Sequence, residues 1–159
     1  MIQRTLVLLK SDAIKRCLVG RILQRFEDAG LKIVGMKMVW IDKKVARKHY
    51  KEHVKKKFFK SLEKYITSGP LIAICLEGVN AVEVVRKMVG STEPNKALPG
   101  TIRGDFAHLS AEWANKKGKA IVNLIHASDS LEKAKQEIKL WFKPKELHTY
   151  KTVHEEFVF

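Results

Sequence analysis

Four compact apolar segments alternate along the chain with stretches in which apolar residues recur every three or four positions. The segments are rich in leucine, methionine and β-branched residues, a composition typical of buried strands. They predict strands at residues 4–10, 31–41, 71–77 and 120–126. In the second strand, strict alternation places four apolar side chains on one face, namely Val34, Met36, Met38 and Trp40.

The stretches between the strands carry the signals of amphipathic helices. A first helix is predicted to start at Ser11-Asp12, because both residue types cap helices well, and to stop at Gly30. The last begins near Asp129, which has capping-box spacing to Glu132. The other helices are predicted over residues 43–51, 58–68 and 80–89. A loop and a polar, lysine-bearing stretch join the fourth helix to the fourth strand.

This order of elements predicts an α+β fold. At least one pair of strands can be adjacent without a βαβ crossover, which favours a sandwich of the split βαβ type. A doubly wound parallel sheet is the alternative. No internal repeat and no linker divides the 159 residues, so we predict a single domain, 1–159.

Composition excludes several classes of protein. Hydrophobic residues at 45% and charged residues at 30% are typical of a globular chain rather than a disordered one. The longest apolar runs, 6–9 and 70–76, are far shorter than the ~18 residues that a membrane-spanning helix needs. Two cysteines, Cys17 and Cys75, fit neither a disulfide framework nor a metal knuckle. We therefore expect a cytoplasmic protein without a membrane partner.

Net charge is the unusual property of the composition. A formal charge of +14 attracts polyanions, whether nucleic acids, anionic membrane surfaces or phosphorylated small molecules. The charge is concentrated between Lys43 and Lys60, where Glu52 is the only acid among many lysines. We prefer to interpret this run as a solvated helix face, and we keep nucleic acid as a secondary electrostatic partner.

A histidine at the end of the fourth predicted strand is the leading candidate for chemistry. Strand backbone holds His126 on one side, and the small residues after it leave room for a substrate. Glu137 lies about two turns into the next helix, where it can orient the imidazole and make its second nitrogen a better nucleophile. The alternative is a hydrogen-bonded structural histidine. The remaining histidines are expected to be exposed; they are His49, His53, His108, His148 and His154.

Residues 99–106 form a second candidate site, because two glycines flank Arg103 and a guanidinium matches phosphate oxygens. Arg86 and Thr92 can add a charge and a hydroxyl, and Lys10 is a third cation. The alternative for these charges is solvation, a carbonyl contact or an ion pair, which for Arg103 would involve Asp105. No P-loop, dinucleotide or zinc-protease motif is present.

Nearly the whole chain resembles nucleoside diphosphate kinases. The resemblance rests on residues 4–7, 16–20, 49–50, 65–70, 99–106, 123–130 and 141–144, of which 99–106 and 123–130 together are highly specific. It implies a ferredoxin-like βαββαβ sandwich with a four-stranded antiparallel sheet and extra helices. It also implies ping-pong transfer of the terminal phosphate of a nucleoside triphosphate, mainly ATP, to nucleoside diphosphates through a phosphohistidine, which maintains NTP and dNTP pools. The family is homo-oligomeric, usually hexameric.

The resemblance implies a role for each matching residue. His126 matches the histidine that is transiently phosphorylated, and Ser128 and Glu137 match the residues that orient it. The further catalytic residues would be Lys10, Tyr50 and Asn123. The nucleotide-binding residues would be Lys10, His53, Phe58, Leu62, Arg86, Thr92, Arg103 and Asn123. Mg²⁺ is expected to bridge the nucleotide phosphates, so no protein residue is predicted as a metal ligand. Without the resemblance, Phe58 and Leu62, one turn apart, are more typical of a core, although a phenylalanine on a cleft rim can stack on a base.

The chain departs from the family pattern at several positions. Ser11 follows Lys10 in place of a proline, Cys17 replaces a glycine, and Glu93 places an acid beside Thr92.

A longer basic loop, residues 107–119, precedes the segment that carries His126, and the resemblance assigns no residue to the wall facing Phe58. We hypothesise that this loop lies beside the cleft and alters nucleotide affinity. We also expect residues 151–159, with Phe157 and Phe159, to pack on a neighbouring subunit.

Overall fold

The computed structural model describes residues 1–153 and 155–158, and a four-stranded sheet lies at its centre. The strands are β1 (Ile2–Leu9), β2 (Lys32–Val39), β3 (Leu71–Val79) and β4 (Ile125–Ala127), in the spatial order β2-β3-β1-β4. Every neighbouring pair is antiparallel. The prediction of an α+β, ferredoxin-like sandwich is confirmed, and the alternative of a parallel, doubly wound sheet is wrong.

Helices cover both faces of this sheet. They are α1 (Ser11–Lys15), α2 (Val19–Asp28), α3 (Lys43–His49), α4 (Phe59–Ile66), α5 (Ala81–Val89), α6 (Ile102–Phe106), α7 (Ala111–Lys116), α8 (Leu131–Trp141) and α9 (Glu155–Val158). Short 3₁₀ turns lie at Lys51–His53, Pro94–Lys96 and Pro144–Glu146. Alternation along β1 creates two cores: Val7 and Leu9 pack with α2 and α5, whereas Leu6 and Leu8 pack with α3, α4 and α8. Within the described residues, no helix is long and apolar enough to cross a membrane.

Two helix boundaries differ from the prediction. The first predicted helix is divided into α1 and α2, because Cys17 adopts φ 55°, a left-handed conformation that glycine reaches at lower cost. The last helix is capped by Ser130 rather than Asp129, since the Lys133 N–H donates to Ser130 Oγ at 3.2 Å.

The predicted single apolar face of the second strand is wrong. An irregularity between Ile33 and Gly35 shifts the register of β2 against β3, so the alternation of faces changes at this point. Val34 is buried, whereas the later apolar side chains are 53%, 60% and 70% exposed; these are Met36, Met38 and Trp40. β2 is an outer strand, so these exposed apolar side chains, Met36 and Met38 within the strand and Trp40 just after it, lie at the border of the sheet.

The region before β4 contains two helices, α6 and α7, where the sequence predicts irregular structure. Thr101 caps α6 by accepting from the Gly104 N–H at 3.0 Å, and Ser110 caps α7. β4 is shorter than predicted because Leu124 adopts φ 68°, which ends the regular extended backbone on its N-terminal side.

The C-terminal segment contacts β2 through α9. Glu155 accepts a hydrogen bond from Lys32 Nζ at 2.8 Å. Phe157 is 88% exposed, whereas His154 and Phe159, for which exposure and subunit packing are expected, lie outside the described residues.

Candidate active site

A cleft of about 710 Å³ gathers almost all of the predicted site residues. Those in its lining are Lys10, Tyr50, His53, Phe58, Leu62, Arg86, Thr92, Arg103, Asn123, His126 and Glu137. Ser128 is fully buried and joins the group through a hydrogen bond to Glu137. Strand ends, loops and the four helices α4, α5, α6 and α8 therefore bring to one place residues that are distant in the sequence.

His126 lies in β4 with one ring nitrogen held in place. Its Nε2 is 3.1 Å from both carboxylate oxygens of Glu137, and Ser128 Oγ donates to that carboxylate at 2.5 Å. The Leu6 N–H donates to Ser128 Oγ at 3.3 Å, which ties the hydroxyl to β1. When Nε2–H donates a hydrogen bond to the Glu137 carboxylate, the neutral ring keeps a lone pair on Nδ1. The imidazole thus has the orientation that a nucleophile needs.

Lys10 places a buried amine directly after β1. Its Nζ donates to Asn123 Oδ1 at 2.6 Å, and Asn123 Nδ2 donates to the Thr92 carbonyl at 2.8 Å. Burial first, and then the charge of Arg103, lower the pKa of Lys10 from 10.5 to about 7. An anionic group entering the cleft would reverse this effect by stabilising the ammonium form.

Arg103 projects from α6 and donates hydrogen bonds to backbone carbonyls in and around β4. Its Nε, Nη1 and Nη2 donate to the carbonyls of Asn123 (3.2 Å), Gly90 (3.1 Å) and Ile125 (2.6 Å). The alternative of an ion pair with Asp105 is wrong, because that carboxylate accepts from Arg25 instead. A guanidinium has five N–H donors, so two remain for an anion. Burial, followed by the charge of Arg86, lowers the pKa of Arg103 to about 10.

The wider part of the cleft presents an aromatic ring beside residues that the sequence left unassigned. Phe58 is 46% exposed at the start of α4, and the ring of His53 lies 5.7 Å from it. The lining residues that come from α7 and the segment after it, none of which has an assigned role, are Ala111, Asn115, Lys119, Ala120 and Ile121. Ala111, Asn115 and Lys119 belong to the loop 107–119 that is expected beside the cleft, although no motif singles out these individual residues.

The residues at two of the positions that depart from the family pattern, Glu93 and Ser11, have hydrogen-bond partners nearby. Glu93 accepts from Lys96 Nζ at 2.7 Å and from the Ala111 N–H at 3.0 Å, so its carboxylate is engaged by a lysine and by α7. Ser11 Oγ lies 3.1 Å from Ser68 Oγ, a contact that holds the turn after Lys10.

Comparison with known proteins identifies the family to which the chain belongs. The sequence model of one family, nucleoside diphosphate kinase, matches residues 3–147. The chain belongs to the nucleoside diphosphate kinase family. The nucleoside diphosphate kinase of Pyrococcus horikoshii is 57% identical over 148 residues, which cover 93% of this chain and 90% of that protein. That of Methanocaldococcus jannaschii is 50% identical over 147 residues, which cover 92% and 98%.

Solved structures of nucleoside diphosphate kinases share the fold. A transition state mimic of the Borrelia burgdorferi enzyme, with bound vanadate and ADP, has a TM-score of 0.94 and 43% identity, covering 97% of this chain and 95% of that one. The Halobacterium salinarum enzyme in complex with CDP has a TM-score of 0.90 and 38% identity, covering 100% and 99%.

The protein is therefore a phosphotransferase, as the resemblance implies. Nucleoside diphosphate kinases transfer the terminal phosphate of a nucleoside triphosphate to a nucleoside diphosphate through a phosphohistidine, and so maintain NTP and dNTP pools. They bind nucleotides and use a divalent cation with them.

His49 is the residue of this kinase cleft that the sequence misjudges. Its polar surroundings predict exposure, yet its side chain is only 1% exposed. Its Nδ1 accepts from Trp141 Nε1 at 3.1 Å, and its ring lies edge-on to that of His126 with centroids 4.5 Å apart. Burial lowers the pKa of His49 well below its usual value, so the ring is neutral. The one signal in the sequence is the apolar Ala46, three residues earlier and therefore on the same face of a helix.

Proposed function

We propose that His126 is the residue phosphorylated in this kinase and that Nδ1 is the reacting atom. The observation that carries the proposal is the chain of hydrogen bonds from Ser128 through Glu137 to Nε2 of His126. In the first half-reaction, the Nδ1 lone pair bonds to the terminal phosphorus, the bond to the bridging oxygen breaks, and the nucleoside diphosphate leaves with that electron pair. A second nucleoside diphosphate reverses these steps.

The surrounding residues supply charge and position. Glu137 would stabilise the positive charge that the phosphorylated ring carries. The proposed phosphate-binding groups are Lys10, Arg86, Thr92 and Arg103, with Tyr50 and Asn123 near the transferred phosphate and the ribose 3′-hydroxyl. The proposed base site consists of Phe58 and Leu62, and His53 adds a contact to the phosphate-binding groups. Because every base has a π-face, stacking allows one site to accept several nucleotides.

We propose Mg²⁺ as the divalent cation, carried on the nucleotide phosphates. In the part of the chain that the structure describes, one cluster of possible metal ligands occurs, with ligand atoms of His49, His126 and Glu137 within 4.8 Å of one another. Hydrogen bonds with Trp141 and Ser128 already account for this cluster, and imidazoles are not the oxygen ligands that Mg²⁺ prefers. When bound, the cation would neutralise phosphate charge alongside the cationic side chains.

We propose that the kinase is a homo-oligomer, a hexamer as is usual in the family. The exposed apolar side chains on the outer strand β2 support this proposal, because such an edge favours pairing with another chain. The segment 151–159 is proposed to pack on a neighbouring subunit.

The cytoplasm is the proposed location, and 1–159 the proposed single domain. Nucleic acid is a secondary proposal, supported by a basic depression of about 610 Å³ whose lining residues are Lys43, Lys44, Arg47, Lys48 and Lys51. Binding through phosphates would weaken steeply as salt rises, whereas phosphotransfer in the cleft would change much less.

Incubation with γ-labelled ATP and Mg²⁺ tests the main proposal. The wild-type protein is expected to acquire an acid-labile, base-stable label that added GDP or CDP removes, and His126→Ala is expected to acquire none. Label retained by His126→Ala would assign the phosphate to another residue. Absence of label from both proteins would contradict the phosphohistidine mechanism for this chain.

A further inference from the structure

The segment formed by α7 and the residues up to 121 lines the nucleotide cleft without an assigned role. Its contribution to the lining consists of Ala111, Asn115, Lys119, Ala120 and Ile121. Phe58, the proposed stacking ring, lines the same cavity. A nucleoside that stacks on this ring therefore lies in the space that the segment bounds.

This segment is held in place by several contacts. Glu93 Oε2 accepts the Ala111 N–H at 3.0 Å, next to Thr92 of the proposed phosphate site. Ala114 is fully buried and its carbonyl accepts from the Lys119 N–H at 2.9 Å, which closes the end of the helix. Because both ends of α7 are anchored, Asn115 and Lys119 have defined positions relative to the cleft.

Asn115 and Lys119 are the polar members of this part of the lining. Across residues 1–153 and 155–158, neither side chain has a hydrogen-bond or ion-pair partner. Lys117, by contrast, lies 4.9 Å from the centre of the Trp113 ring and does not line the cleft. A lysine offers only donors, whereas an amide offers both donors and an acceptor. Two side chains without partners are thus available to the edge of a stacked base.

We propose that Asn115 and Lys119 form a base-edge subsite that favours bases with a keto oxygen, namely guanine, uracil and thymine, over adenine and cytosine. The Lys119 ammonium can donate to O6 and N7 of guanine or to O4 of uracil, whereas adenine and cytosine present an amino group, itself a donor, at that position. The amide of Asn115 can donate to a keto oxygen or accept from an amino group, so Lys119 determines the preference between bases. The inference rests on the proposed function, because it requires a base stacked on Phe58.

Single-turnover transfer from the phosphorylated oligomer to nucleoside diphosphates tests this subsite. The comparisons pair bases of equal ring size, GDP with ADP and UDP with CDP, and each ratio is compared between variant and wild type, so that differences in stacking cancel. Wild-type protein is expected to favour the keto partner in each pair. Lys119→Met is expected to reduce that preference at least about fivefold, since a hydrogen bond from a charged donor typically contributes more than this. Lys117→Met removes the same charge outside the cleft and is expected to keep the wild-type ratio.

The possible outcomes separate the subsite from the proposed function. Unchanged ratios in Lys119→Met, or an equal change in Lys117→Met, would overturn the subsite, the latter because it would indicate general attraction of anions. Failure to form any phosphoenzyme would instead contradict the proposed function. Equilibrium binding of GDP and ADP to His126→Ala, with and without Lys119→Met, gives a second measurement that needs no chemistry. The same loss of preference there supports the subsite, and its absence overturns it.

Discussion

Lys10→Met is expected to stabilise the nucleotide-free protein at low pH while abolishing phosphotransfer, and the gain in stability should shrink as pH rises. The Lys10 side chain is almost fully buried, and this burial lowers its pKa from 10.5 to about 7. Between these two pH values the unfolded chain holds a proton that the native chain has released. The contribution of Lys10 to the unfolding free energy therefore rises with pH between about 7 and 10.5. Below pH 7, burial of the charged amine destabilises the native state most.

The magnitude follows from the two pKa values. The cost of burying the amine amounts to about 5 kcal/mol at pH 6 and about 1 kcal/mol at pH 10. Methionine has a similar length and no charge, so the variant avoids this cost. It also leaves Asn123 Oδ1 without its donor, which costs about 1–3 kcal/mol at every pH. The difference in unfolding free energy between variant and wild type should thus fall by about 4 kcal/mol from pH 6 to pH 10.

Urea unfolding of both proteins at pH 6, 8 and 10, at one protein concentration, measures this difference. Subtracting the unfolding free energy of the wild type from that of the variant cancels the pH dependence of all titratable groups that the two proteins share. Lys117→Met, which alters an exposed lysine, serves as the control and should show no dependence on pH. A Lys10→Met difference that stays constant from pH 6 to pH 10 would refute the reasoning, because the native amine would then titrate as it does in the unfolded chain.

Further predictions concern the nucleophile, its neighbours and the sheet edge. Glu137→Gln is expected to slow phosphoenzyme formation at least about 100-fold with little change in nucleotide affinity, because the amide can donate to Nε2 of His126 and leave the proton on Nδ1; rapid-quench kinetics with a normal rate would contradict this. Trp141→Phe leaves His49 Nδ1 without a donor and should lower the unfolding free energy by about 1 kcal/mol, measured in urea; unchanged stability would count against that bond. Met38→Glu on the edge of β2 should reduce the assembly mass in light scattering, and an unchanged mass would exclude this edge as an interface. Nucleotide binding at pH 8 should take up a proton at the buried amine, and calorimetry giving equal heats in buffers of different ionisation enthalpy would argue against it.

The sequence by itself determines most of the elements of this kinase. β1 and β3 contain continuous apolar runs, residues 6–9 and 71–76, and α5 and α8 have a clear helical period, so local pattern suffices to predict them. The pattern fails where one residue departs from regular backbone, at the left-handed conformations of Cys17 and Leu124 and at the irregularity in β2. Those conformations are decided by packing against other elements, which a local pattern does not contain.

The residues of the candidate site likewise divide into those that the sequence predicts and those that depend on tertiary contacts. The residues that match a family motif, Asn123 and His126 among them, can be found from the sequence because the motif itself records their spacing, and helical spacing adds Glu137. The burial of His49, the attachment of Glu93 to α7, and the exposure of Lys119 to the cleft depend on contacts with residues far along the chain. Only the tertiary structure decides such contacts, since burial and hydrogen bonding are properties of the folded neighbours of a residue rather than of the residue itself.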